Sequence, residues 1–204
     1  MSKHLTRIVG WGHELLAEKI SNGQLAVDLT AGNGYDTLML WRQVGPSGQV
    51  IAFDIQQEAL TSTCLRLQEQ QAPVRQWAEG SGVLVAQAGV DLIAAGHQDL
   101  ATYLPGAPQA IVANLGYFPS GDKSITTLPK TTLQALSQSV EVLAPGGRLA
   151  VVVYTGHPGG EEEGRAVDRF FSELDEVNFQ VLQLRVLNRP DAPYLLVAEK
   201  RERK

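Results

Sequence analysis

Seven apolar, strand-like runs alternate with helical patterns along the chain. That alternation predicts an α/β fold: a doubly wound, mostly parallel seven-stranded sheet with helices on both faces. The strand runs are near-continuous aliphatic stretches, the pattern of strands buried on both faces. The runs are residues 25–29, 49–54, 90–94, 109–114, 148–154, 179–186 and 194–198, and the fifth is the most apolar. Helical stripes fill the gaps. Leu133, Leu136, Val140 and Leu143 recur at helical spacing, and Pro145-Gly146-Gly147 stops that helix. Val167, Phe170, Phe171 and Leu174 form a second stripe. Glu161-Glu162-Glu163 precede it, and a solvated first turn, where the helix dipole favours carboxylates, accounts for them. Residues 70–89 are the least regular. They extend a helix or form an insertion turning at Gly80-Ser81-Gly82.

The 204 residues predict one domain, 1–204, with no linker or repeat. Hydrophobic residues make up 44% and charged residues 19%, which excludes a disordered chain or a fibre. Cys64 is the only cysteine, which excludes an intrachain disulfide and a thiolate metal cluster and fits a reducing cytoplasm. No apolar run approaches the ~18 residues of a membrane span. Lys3, Arg7, Glu14, Glu18 and Lys19 interrupt any secretory apolar core. The four histidines lack metal-ligand spacing with other candidate ligands, so no metal is expected. A net charge of -5 excludes a strongly basic nucleic-acid coat protein. An enzyme touching RNA over a small basic patch stays possible. Lys200, Arg201, Arg203 and Lys204 are one candidate patch, while residues 76–122 contain no Lys or Arg.

Chemistry concentrates at the strand ends. After the first strand run comes Asp28-Leu29-Thr30-Ala31-Gly32-Asn33-Gly34-Tyr35-Asp36-Thr37. Gly32 and Gly34 permit a tight turn and close backbone approach to a ligand. Asp54 ends the second run, twenty residues after Gly34, where a carboxylate can accept from both ribose hydroxyls of a nucleoside cofactor. A dinucleotide fingerprint wants Gly or Ala where Thr37 stands, and Asp28 and Asp36 would repel its diphosphate. S-adenosylmethionine carries an ammonium and a sulfonium, which nearby carboxylates attract. An oxidoreductase using a dinucleotide is therefore the weaker reading.

The fourth run ends in Asn114-Leu115-Gly116-Tyr117-Phe118-Pro119, an amide, a tight turn and an aromatic. This resembles the element that amino-methyltransferases use to orient a target amine. The Asn114 oxygen can accept from the amine, and Tyr117 or Phe118 can stack on a base. Further residues complete a longer pattern: Ala31-Gly32-Asn33-Gly34-x-Asp36-Thr37, Phe53-Asp54-Ile55-Gln56, Gly96-His97, the block from Asn114 through Gly121-Asp122-Lys123-Ser124-Ile125-Thr126-Thr127, and Tyr154-x-Gly156-His157-x-x-Gly160. This set resembles the MnmM/YtqB family, which carries the older label rRNA methylase. The resemblance runs from about residue 27 to residue 198, and the block 114–127 is its most specific part. Tyr35 stands where relatives commonly have a small or polar residue, and residues 70–89 look longer than in relatives.

The resemblance implies a Rossmann-like class I methyltransferase. Its expected reaction is S-adenosylmethionine-dependent methylation of 5-aminomethyl-2-thiouridine at the tRNA wobble position. tRNA, through its anticodon region, is then the partner, and a homodimer the expected assembly. Asp28, Gly32, Asn33, Gly34 and Asp36 are expected at the methionine end of the cofactor, Asp54 at the ribose with Gln56 beside it, and His97 at the adenine or capping a helix. Asn114 and Tyr117 are expected to position the substrate. Asp122, His97 and His157 are the candidates for taking the amine proton, and Lys123 can meet an RNA phosphate. A methyltransferase acting on rRNA or on a small-molecule amine keeps the same cofactor site. A cofactor-binding module without catalysis keeps it too.

Overall fold

Alternation in the parallel strands builds two cores, one on each side of a single sheet. The computed structural model describes residues 5–119, 121, 124–189 and 191–202. The strands are β1 (Leu25–Asp28), β2 (Gln49–Asp54), β3 (Val74–Ala78), β4 (Gly89–Ala94), β5 (Ala110–Asn114), β6 (Arg148–Val153), β7 (Phe179–Leu184) and β8 (Tyr194–Lys200). Their order is β3-β4-β2-β1-β5-β6-β8-β7. β8 runs antiparallel to both β6 and β7, and the other pairings are parallel.

Successive side chains of a strand point to opposite faces. In β2, Ile51 and Phe53 join one core, while Val50 and Ala52 join the other. Helices α1 (Ile8–Ala17), α2 (Tyr35–Val44) and α3 (Gln57–Gln68) cover the second face through Leu16, Leu40 and Leu67. Helices α4 (Pro129–Val142) and α5 (Gly160–Ser172), with a 3-10 helix at His97–Thr102, cover the first through Leu136, Phe171 and Leu100.

The class is the one expected, with eight strands among the described residues rather than seven. The additional strand, β3, lies in the irregular stretch 70–89. Arg75 and Gln76 break its apolar run, and it lies at the sheet edge with Val74 and Trp77 packed against the two cores. Its attachment is also electrostatic. Arg75 and Trp77 project to the same side. Asp91 of β4, fully buried, accepts from Arg75 Nε at 2.6 Å, Arg75 Nη2 at 2.9 Å, Trp77 Nε1 at 2.8 Å and Gln49 Nε2 at 2.7 Å. Burial alone would raise the Asp91 pKa. The hydrogen bonds from Arg75, Gln49 and Trp77 outweigh burial and hold it below the ordinary carboxylate range.

The chain leaves β1 toward β2 on one side and returns at β5 on the other. The strand order thus reverses between β1 and β5, the point where open α/β sheets bind ligands beyond their strand C-termini. Asp28, Asp54 and Asn114 end three adjacent strands there.

Candidate active site

A cavity of about 1050 Å³ opens at this reversal point. Gly32, Asn33, Asp36, Asp54, Gln56, His97, Asn114, Tyr117 and His157 all line it, so residues spread over more than 120 positions meet around one cavity. Asp122 and Lys123 lie outside the described residues.

The loop after β1 is held from both neighbouring strands. Asp54 Oδ2 accepts from Gly32 N at 2.9 Å, and Oδ1 accepts from Gln56 N at 2.9 Å. Burial raises the Asp54 pKa, against the lowering effect of those backbone donors. Gln56 is 8% exposed at the start of α3. Gly34 precedes α2 with φ +76°, and a Cβ there would sit 2.8 Å from Thr63 Cα. Only glycine lets α2 and α3 approach this closely. Asn33 Oδ1 accepts from Ser62 at 3.2 Å and its carbonyl from Arg66 Nε at 2.5 Å. The Arg66 guanidinium also lies 3.7 Å above the Tyr35 ring, so the departure at Tyr35 is matched by a cation–π contact at the cavity rim.

Two residues expected at the cofactor stand behind the wall rather than on it. Gly34 packs against Thr63. Asp28 is fully buried, with Oδ1 accepting from Thr30 N at 3.0 Å and Oδ2 from the Thr37 hydroxyl at 2.6 Å. A ligand has no access to it, because both oxygens brace the glycine loop against α2. Burial, reinforced by the Asp36 charge, pushes its pKa up to about 7.

The folded pKa of Asp28 thus lies above its unfolded value. The resulting stability is fully present below about pH 4 and is lost as pH rises through about 7. Asp28→Asn keeps the acceptor for Thr30 and cannot ionise. Its stability relative to the native chain should therefore climb from pH 4 to pH 7 and level off above, as read by urea denaturation across that range. A difference independent of pH would sink the assignment.

His97 starts the 3-10 helix after β4. Its Nδ1 lies 3.1 Å from the Leu29 carbonyl, an acceptor, so Nδ1 carries the proton and Nε2 presents a lone pair. Burial lowers its pKa from 6.5, so the ring is neutral at pH 7. His97 is the first residue of that helix, after Gly96, and no side-chain cap is made there.

The turn after β5 is fastened from outside the strand-end motifs. Gly116 N donates to Thr127 Oγ1 at 2.9 Å, Thr127 N returns to Gly116 O at 2.8 Å, and Tyr117 bridges Thr126. Glu163 closes this arrangement, accepting from Thr127 at 2.7 Å and Thr132 at 2.6 Å. At 1% exposure, Glu163 departs from the solvated helix start expected of the acidic run. One turn of α5 buries it, while Glu161 and Glu162 stay exposed. Phe118 is buried beside Gly32, whereas Tyr117 is 39% exposed and meets the His157 ring edge-on at 6.0 Å. Tyr117 is therefore the aromatic available to a base.

Two polar atoms at this wall are buried without a hydrogen-bond partner among the described residues: Asn114 Oδ1 and His157 Nε2. The Asn114 amide cannot be turned over, because its Nδ2 donates to Asp36 Oδ2 at 2.5 Å and a carboxylate only accepts. His157 Nδ1 lies 3.1 Å from the Pro158 carbonyl, so it carries the proton and leaves Nε2 as an acceptor. One residue that the sequence reading missed also reaches the site. His13 of α1 contacts Asp36 Oδ1 through Nε2. No local motif marks His13, since only the packing of α1 brings it to the cavity.

Of the candidate basic patch, Lys200 is committed elsewhere and Arg201 is exposed. Lys200 Nζ donates to the Val140 and Glu141 carbonyls at the end of α4, and Arg203 and Lys204 lie outside the described residues. Among the described residues no cluster of metal-ligating side chains forms, and no helix is long and apolar enough to cross a membrane.

Comparison with known proteins adds the remaining evidence. Residues 50–200 match the family model described as "Putative rRNA methylase". The chain is 38% identical over 197 residues to an Arabidopsis thaliana protein named tRNA (mnm(5)s(2)U34)-methyltransferase, chloroplastic, covering 93% of this chain and 68% of that one. A crystal structure described as a putative rRNA-methylase from Clostridium thermocellum superposes with a TM-score of 0.85 at 35% identity, covering 98% of this chain and 100% of that one. A Streptococcus mutans protein described as a putative methyltransferase in complex with SAH does so with a TM-score of 0.80 at 34% identity, covering 98% and 99%. With its sheet reversing at a cavity built from the strand ends and with these matches along nearly its whole length, the chain belongs to the rRNA-methylase family.

Proposed function

We propose that this chain is an S-adenosylmethionine-dependent N-methyltransferase that converts 5-aminomethyl-2-thiouridine at the tRNA wobble position to 5-methylaminomethyl-2-thiouridine. The observation that carries this reading is the meeting of Asn114, Tyr117 and His157 with Asp36 and Asp54 around one cavity, where Asn114 Oδ1 and His157 Nε2 are buried acceptors without a partner among the described residues. Two acceptors suit a ligand that brings hydrogen-bond donors, as an amine does. The Arabidopsis relative's name specifies the nucleoside, and the Streptococcus mutans structure's bound SAH is the demethylated cofactor.

The residues fit the cofactor. Asp54 is an acceptor-only carboxylate suited to a ribose diol, and Gly32, Asn33 and Gln56 lie beside it on the wall. His97 Nε2 can accept from an adenine amino group. Asp36 places negative charge where a sulfonium and an ammonium would lie, and a diphosphate would be repelled there. Bound S-adenosylmethionine supplies a methyl group already activated on sulfur. The chain's work is then to orient the amine, remove water and hold a proton. Asn114 Oδ1 accepts one amine hydrogen and aims the nitrogen. His157 Nε2 takes the proton that a charged amine must lose before it can attack. Tyr117 lies against the pyrimidine. Asp122, outside the described residues, stays a candidate proton acceptor. The cavity of about 1050 Å³ exceeds one nucleoside-sized ligand and leaves room for two.

This reading takes the enzyme to act as a single domain and as a homodimer. It places the enzyme in the cytoplasm, whose reducing conditions suit the lone Cys64. The experiment is nucleoside mass spectrometry on tRNA carrying 5-aminomethyl-2-thiouridine, incubated with the protein with and without S-adenosylmethionine. The expected result is a cofactor-dependent gain of one methyl on that nucleoside. No gain, with S-adenosylhomocysteine binding intact, would move the substrate to rRNA or a small amine.

A further inference from the structure

We propose that His13 is a positioning residue for methyl transfer, acting through Asp36 to orient Asn114, so that the N-terminal helix is part of the reacting site. The inference rests on the N-methyltransferase reading above.

Three side chains from three elements form one chain of hydrogen bonds. His13 of α1 contacts Asp36 Oδ1, Asp36 in the first turn of α2 accepts from Asn114 Nδ2 at 2.5 Å, and Asn114 ends β5. Each link has its direction set by chemistry. Asp36 only accepts, so His13 Nε2 must carry a proton and Asn114 must turn its NH₂ toward Asp36. The consequence falls on Asn114 Oδ1, which becomes the buried, unpartnered atom of a residue that lines the cavity.

A terminal amide torsion is soft and nearly two-fold, so Asn114 alone would sample both orientations. The reversed orientation would present two N–H donors to the amine, which is the wrong polarity. The Asp36 carboxylate could also swing away from Asn114 by side-chain rotation. His13 removes that freedom by occupying Oδ1, leaving Oδ2 facing Asn114.

The helix itself is well anchored for this task. Ile8 and Leu16 are buried in the second core, and Gly12 lies against Leu195 of β8. His13 directly follows Gly12, and Ile8, Val9 and Gly10 line the same cavity. α1 thus brings a rigid donor to the far side of Asp36 from Asn114.

The test compares His13→Ala and His13→Gln with the native chain. Glutamine keeps an N–H donor at a reach close to that of Nε2. His13→Ala is expected to lower kcat about 10- to 100-fold on tRNA carrying 5-aminomethyl-2-thiouridine, because the acceptor is no longer held in register. KM for tRNA and the affinity for S-adenosylhomocysteine should stay within about twofold, as for an interaction used in the reacting geometry alone. His13→Gln should recover most of the loss. A second readout needs no activity. In the ligand-free protein, the Asn114 side-chain NH₂ signals, identified by their disappearance in Asn114→Asp, should shift in His13→Ala and return in His13→Gln. Unchanged kcat and unmoved Asn114 signals, or a Gln variant no better than Ala, would overturn the proposal. If the native chain transfers no methyl to this tRNA, the substrate reading fails, while the Asn114 signals still decide whether His13 orients the amide.

Discussion

Asn114→Ala is expected to lower kcat for methyl transfer about 100-fold or more while leaving S-adenosylmethionine affinity within about threefold. The separation follows from where its contacts lie. The side chain touches Asp36 and the cavity, whereas its backbone N–H donates to the Thr30 hydroxyl at 2.8 Å and survives the substitution. The loop that carries Gly32 is held by Asp54, on the opposite side of β1, and is untouched. Stability should fall by only about 1 kcal/mol, the net worth of one partly buried hydrogen bond. Asn114→Asp should be worse than Ala, because it sets a second carboxylate against Asp36. Single-turnover rates and calorimetric cofactor binding measured on the same preparations check both halves. A parallel loss of rate and affinity would mean that Asn114 supports the cofactor loop, not the amine.

Asp54→Ala is expected to weaken S-adenosylmethionine binding about 100- to 1000-fold, the scale for losing charge-assisted hydrogen bonds to the ribose hydroxyls. The same change orphans Gly32 N and Gln56 N, which Asp54 accepts at 2.9 Å each. The glycine loop and the start of α3 lose their shared anchor. Asp54→Asn should rescue only in part, because an amide offers one acceptor atom and must point its NH₂ at one of those two backbone donors. Since burial raises the Asp54 pKa, its protonation begins at higher pH than for an ordinary carboxylate. Cofactor affinity should accordingly begin to weaken, as pH falls, at a higher pH than an ordinary carboxylate would give, and stay flat in Asp54→Asn. Full affinity in Asp54→Ala would remove the ribose assignment.

Much of this architecture was legible in local sequence. Aliphatic runs identified the central strands, because burial on both faces demands apolar residues at every position of 50–53 or 149–153, while β7 was found although it is a largely exposed edge strand. The run 74–78, broken by Arg75 and Gln76, gave no such signal. Its place in the sheet depends on Asp91 meeting Arg75 across a strand boundary, a contact between residues 16 positions apart. Glu163 was misread for a related reason: Glu161-Glu162-Glu163 are alike in sequence, and only the helix's rotation against α4 buries the third.

The site divides along the same line. Asp54, Gly32 and Asn114 could be read from strand ends, because a parallel sheet delivers its strand C-termini to one edge whatever the rest of the chain does. Asp28 belongs to that edge too, yet its side chain turns into the protein, and the strand-end rule does not say which of two faces a terminal residue takes. His13 was out of reach altogether, since its helix precedes the sheet and carries no motif. The sequence by itself determined the α/β class, the strand-end chemistry and the family resemblance, because burial periodicity and strand-end turns are local properties. Only the tertiary structure decided which carboxylate braces the loop and which meets the cavity, and which histidine reaches Asp36. Those outcomes depend on side-chain direction and on the packing of distant helices, which no local pattern encodes.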